Sequence, residues 1–146
     1  MRIFSKITLF FTLMFVTGIA YGALSISISG SPGTLTISTA TAGQQPAAVT
    51  NTSTTYSITT VGTVTTITGK INANMPTGTT LSVNLKAPTG ATSTGSVAMS
   101  TTAANLVTAI PKSTTGSSLT ITYTFTATTA AAQVTGATKT LTLTIQ

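Results

Sequence analysis

Residues 118–128 read Ser-Leu-Thr-Ile-Thr-Tyr-Thr-Phe-Thr-Ala-Thr. Leu119, Ile121, Tyr123, Phe125 and Ala127 alternate with Thr120, Thr122, Thr124, Thr126 and Thr128. Successive side chains of a strand point to opposite faces, so this period of two places the apolar set inward and the threonines toward water. Threonine is β-branched and favours strands, so the polar half of the pattern supports the same conformation. The stretch therefore predicts a long strand with one buried face.

The same rhythm recurs on both sides of it. Leu141, Leu143 and Ile145 alternate with Thr140, Thr142 and Thr144, and Leu81, Val83 and Leu85 with Thr80, Ser82, Asn84 and Lys86. Ile67, Gly69, Ile71, Ala73 and Met75 form a longer run, preceded by the doubled Thr65-Thr66, which predicts a bulge that resets the phase. Weaker strands are predicted over 34–39, 54–60 and 96–100, and a further ladder in Leu24, Ile26 and Ile28. Ser31-Pro32-Gly33, Pro76-Thr77-Gly78 and Pro88-Thr89-Gly90 supply turn chemistry between the runs. Ala103, Leu106, Val107 and Ile110 have helical spacing, with Thr101 or Thr102 available as a cap and Pro111 as a stop. Together these predict an all-β fold: an immunoglobulin-like antiparallel β-sandwich of seven or eight strands with one short crossover helix.

The N-terminus reads as a secretory signal over residues 1–22. Arg2 and Lys6 precede an apolar run from Ile7 to Ala20, and Ala20-Tyr21-Gly22 offers small residues at the positions a signal peptidase reads. The run is short for a membrane span, which needs about 20 apolar residues. Residues 23–146 then form a single domain, exported to the extracellular space or cell surface, through the periplasm if the host is Gram-negative.

Composition narrows the function classes. The 146-residue chain carries six Lys plus Arg and no Asp, Glu, His, Cys or Trp. General acid–base catalysis, zinc or calcium ligation and thiol chemistry all lack their usual residues, so no catalytic, cofactor-binding or metal-binding residues are assigned. A Ser-x-x-Lys pair is absent: Ile67, Val83, Ala109 and Gly136 stand three before Lys70, Lys86, Lys112 and Lys139. A Lys–Asn isopeptide using Lys70 and Asn72 or Asn74 lacks the assisting acid. The four lysines that remain after residue 22 are dispersed, in strand and turn settings typical of solvated surface, so the basic balance comes from missing acids and predicts no nucleic-acid site. The Thr-x-Thr runs resemble ice-binding arrays, but without a short fixed repeat they read as a solvent face of high β-propensity. Asn51-Thr52-Ser53 is a glycosylation sequon at Asn51. With no side-chain carboxylate or imidazole to titrate, stability is predicted to stay flat from about pH 2 to about pH 8.

The start of the exported chain carries the most information about function. Leu24, Ile26 and Ile28 make an apolar ladder over residues 23–29, about 20 Å long at the usual rise per residue. A hinge at 30–33 (Gly30, Pro32, Gly33) follows it. Such a strand can leave its own domain and complete the sheet of a neighbour, and repeated head to tail that contact makes a fibre. The same residues also suit an ordinary first strand that kinks at the hinge and switches sheets. In architecture the chain resembles fimbrial pilin subunits of the donor-strand-exchange type, although it lacks the disulfides common among them. The resemblance implies a structural or adhesive surface subunit that polymerises with itself, with an assembly chaperone as a further partner and Leu24, Ile26 and Ile28 as the donor residues. The alternative is a monomeric extracellular binding module for a glycan or another surface ligand, with a glycan or an anionic surface as its partner.

Overall fold

The computed structural model describes the backbone of residues 7–11 and, with side chains, residues 24–38, 41, 43–62, 65–132 and 136–146. The cleavage motif at Ala20–Gly22 lies outside the described residues. Eleven strands are described: β1 (Ile7–Phe11), β2 (Ser25–Ser29), β3 (Thr34–Leu35), β4 (Val49–Thr59), β5 (Ile67–Ile71), β6 (Thr79–Leu85), β7 (Thr92–Ser93), β8 (Val97–Ala98), β9 (Ala104–Thr108), β10 (Thr115–Ala127) and β11 (Ala137–Ile145). They form two sheets, ordered β3-β1-β11-β5-β9-β7 and β2-β4-β10-β6-β8. Every pairing is antiparallel except β1 with β11. The architecture is all-β and sandwich-like.

The deciding stretch behaves as its alternation requires. In β10, Ile121, Tyr123, Phe125 and Ala127 are buried, while Thr120, Thr122, Thr124 and Thr126 keep part of their surface in water. Register carries the pattern sideways. Ile121, Tyr123 and Phe125 pair with Leu85, Val83 and Leu81 of β6, so both inward sets fall on one face. The second sheet contributes Ile67 and Ile71 of β5, Leu106 and Val107 of β9, and Leu141 and Leu143 of β11 to the same core cluster. Gly69 sits where β5 meets a side chain of its neighbour: an added Cβ would lie 2.6 Å from Leu106 Cδ1. The absence of a side chain there lets β9 approach.

The bulge expected at Thr65-Thr66 appears in the hydrogen bonding. The amides of Thr65 and Thr66 both donate to the carbonyl of Gln146, at 2.8 and 2.9 Å, which sets two residues against one.

The crossover helix is absent: no helix occurs among the described residues, and residues 104–108 form β9. The helical spacing of Ala103, Leu106, Val107 and Ile110 has another origin. A register shift between Ile67 and Thr68 of β5, opposite β9, accompanies the burial of both Leu106 and Val107, two consecutive residues that strict alternation would place on opposite faces. A helix of about nine residues is marginal alone and would leave β5 with an unpaired edge, whereas a strand satisfies that edge. The count of seven or eight strands is also too low, because β1 falls in the stretch that reads as a signal, β7 is only two residues long and β9 stands where the helix is expected; the short β3 and β8 lie within the strands predicted over 34–39 and 96–100. The run expected to reach Met75 stops at Ile71. There the Asn72 side chain accepts the Thr140 amide at 2.9 Å, and the chain turns toward Pro76.

Candidate functional site

The ladder at the start of the predicted mature chain is β2. It pairs antiparallel with β4, Ile26 opposite Ile58 and Ile28 opposite Tyr56. Ile26 and Ile28 are half-buried against the core, while Leu24 is 45% exposed. β2 is the outermost strand of its sheet, so among the described residues its second edge carries no strand. The hinge then carries the chain from one sheet to the other, since β3 belongs to the six-stranded sheet. Gly30 and Gly33 both adopt positive φ, at 83° and 63°, where a side chain would be strained. Pro32 is buried between them. The sheet-switching geometry foreseen for an ordinary first strand is therefore the one adopted.

Gly30 is constrained further by its neighbour. An added Cβ would stand 2.7 Å from the carbonyl oxygen of Ser53. Ser53 also reaches across the turn, with its Oγ 2.9 Å from the Ser31 carbonyl and 2.8 Å from Asn51 Oδ1. A hydroxyl carries one proton, so these two acceptors share it. Asn51 Oδ1 additionally accepts the Ser53 amide at 2.9 Å. The candidate sequon is thus folded onto itself, with Asn51 and Ser53 engaged at the turn that receives β2.

A second feature lies in the other sheet. β1 runs between β3 and β11, parallel to β11, with Ile7 opposite Ala137 and Phe11 opposite Leu141. On its other side Ile7 and Thr8 pair with Leu35 and Thr34. Residues 7–11 belong to the stretch that reads as a removable signal. Leu35 and Leu141, which border this position, are buried core residues.

The lysines divide. Lys70, Lys86 and Lys112 are exposed. Lys139 is not: it is 8% exposed, and its Nζ donates to the Asn74 carbonyl at 2.7 Å. Its placement corrects the expectation of a solvated surface lysine. The cause was present in the sequence, since 139 shares the parity of the inward residues 141 and 143. Among the described residues no group of metal-ligating side chains exists.

The aromatics are structural. Tyr56, Tyr123 and Phe125 are all buried. The Tyr56 hydroxyl donates to the Lys86 carbonyl at 2.6 Å, and burial pushes its pKa up to about 12. Burial raises that of Tyr123 further, against a smaller opposing effect of a hydrogen bond with Thr54. Neither phenol is available as a base near neutrality, and no described aromatic side chain is available to stack on a sugar.

The threonines of β10 face outward beside those of their neighbours. Thr120 pairs with Thr55, Thr124 with Thr50 and Ser82, and Thr126 with Thr80. This is the solvent face that β-propensity predicts. No helix among the described residues is long and apolar enough to cross a membrane. No protein family, curated protein or solved structure matches the chain.

Proposed function

We propose that the chain is an exported structural subunit of a surface fibre, an immunoglobulin-like sandwich of the donor-strand-exchange type that polymerises through its N-terminal strand. One observation carries the reading: an apolar strand from the predicted signal segment occupies the position between β3 and β11. Removal of residues 1–22 takes that strand away. The edge of β11 from Ala137 to Leu141, and that of β3, then lose their hydrogen-bonding partner, beside buried Leu35 and Leu141. An unpaired edge next to a hydrophobic core is a template for strand addition. Leu24, Ile26 and Ile28 of a second copy provide a strand of matching character, apolar at alternate positions. The contact is heterologous and does not close, so its repetition builds a filament.

A protein without charged pairs, metal ligands or a proton-transfer group suits such a passive role. A monomeric glycan-binding module is less well supported, because the three aromatics retained after residue 22 are all buried. The test compares the exported protein with a variant lacking residues 23–29, by negative-stain microscopy and solution mass. Filaments are expected from the first and monomers from the second. A soluble monomer whose mass state is unchanged by the deletion refutes the reading.

A further inference from the structure

The strand that the proposed fibre requires in a neighbour is already seated in its own domain. We propose that the outer edge of β4 is a second seat for the N-terminal strand, one that holds β2 in cis and so competes with its donation to a neighbouring copy. The inference rests on the strand-donation reading above, but its geometry is independent of it.

Three observations define the seat. The register of β2 on β4 runs without interruption from Ser25 opposite Thr59 to Ser29 opposite Thr55. Ile26 and Ile28 lie beside Ile58 and Tyr56 and pack half-buried against the core. At the end of the strand the turn is clasped: Ser53 Oγ reaches the Ser31 carbonyl, Ser31 Oγ accepts the Gly33 amide at 3.2 Å, and Gly30 lies close enough to Ser53 O to exclude any side chain.

The seat is strong enough to hold and weak enough to open. A tethered strand meets its own edge at high effective concentration, so cis pairing forms before any encounter with a neighbour. It nevertheless has one partner strand, five residues and two half-buried isoleucines. Such an edge belongs to the low-stability end of a fold, where local opening precedes global unfolding. The Gly30–Gly33 hinge lets it swing out while Leu35 and Ile37, just beyond the hinge, stay buried in the core. The clasp at Ser53 then sets how often β2 is free, and assembly follows that population.

The chain has no cysteine, so an engineered pair is unique in it. Ser27→Cys with Ser57→Cys places two thiols at directly opposed positions, within disulfide reach for an antiparallel pair. Oxidation of this variant, purified after export, is expected to hold it monomeric, and reductant to restore assembly. Ser53→Ala removes the clasp. Loss of one hydrogen bond of ordinary strength is expected to speed amide exchange over residues 25–29 by roughly two- to tenfold, and assembly by a similar factor. An oxidised pair that assembles as fast as its reduced form overturns the competition. Unchanged exchange over 25–29 in Ser53→Ala overturns the clasp. Absence of assembly in every form removes the strand-donation reading and the competition with it, while the exchange measurement still decides whether the cis seat exists.

Discussion

Raising the pH from about 9 to about 12 should strongly destabilise this domain, whereas lowering it to about 2 should leave it intact. Stability changes with pH only where folded and unfolded states bind different numbers of protons. Below neutrality there is no Asp, Glu or His to take one up, which leaves the terminal carboxylate alone. The alkaline side differs. Tyr56 is fully buried with its hydroxyl on the Lys86 carbonyl, and its pKa rises to about 12. In the unfolded chain a tyrosine loses its proton near pH 10. Between these values the unfolded state gives up a proton that the folded state keeps. The contribution is therefore complete below about pH 10 and declines as the pH rises toward the folded value. At about 1.4 kcal/mol per unit, Tyr56 accounts for roughly 2–3 kcal/mol by pH 12. Tyr123, displaced further in the same direction by burial, adds a comparable amount. A sum of about 5 kcal/mol is a large share of the 5–15 kcal/mol that holds a typical domain together. Guanidinium melts at a series of pH values, followed by circular dichroism, should show a flat midpoint up to about pH 9 and a steep fall above about pH 10. Tyrosinate absorbance should rise with unfolding and not before it. Tyr56→Phe should remove about half of the alkaline slope. A cooperative transition near pH 4 would refute the reasoning, as would full tyrosine ionisation near pH 10 in a domain that stays folded.

Two substitutions probe the backbone and the packing. Ala109 sits at φ 53°, between β9 and buried Ile110, in a conformation that costs an L-residue about 1–2 kcal/mol. Ala109→Gly relieves that strain and gives back part of it as chain entropy, for a net stabilisation of about 0.5–1 kcal/mol in a urea melt. Gly69→Ala pushes a Cβ to 2.6 Å from Leu106 Cδ1, in a core with little room to move, and should cost about 1–3 kcal/mol. Pairing it with Leu106→Ala should show a favourable coupling in a double-mutant cycle, because the two changes share one space.

Legibility in the sequence followed periodicity. The strands β4, β6, β10 and β11 announce themselves because each has one wet and one dry face, and the bulge at Thr65-Thr66 because two threonines break the alternation. β9 reads as a helix because Leu106 and Val107 are both buried, and a consecutive apolar pair at a register shift imitates a helical stripe. β7 is too short for any period to show, while β3 and β8 are two-residue pairings inside the weaker runs at 34–39 and 96–100. Lys139 escaped because charge suggests a surface position, although its parity with Leu141 points inward. The candidate site divides in the same way. The ladder of Leu24, Ile26 and Ile28 and the hinge at Gly30, Pro32 and Gly33 stand out as residues, but their partners lie far along the chain.

By itself the sequence determined the chemistry and the class of fold. An absence of acids, imidazoles and thiols cannot be reversed by folding, and an alternation of apolar and hydroxyl side chains has one low-energy use. Tertiary structure alone decided which edges meet. It set β2 on β4 and placed residues 7–11 between β3 and β11. Strand pairing is made by backbone groups that every residue carries alike, so partner choice rests on the fit of whole faces across the core, and no local stretch of sequence encodes that fit.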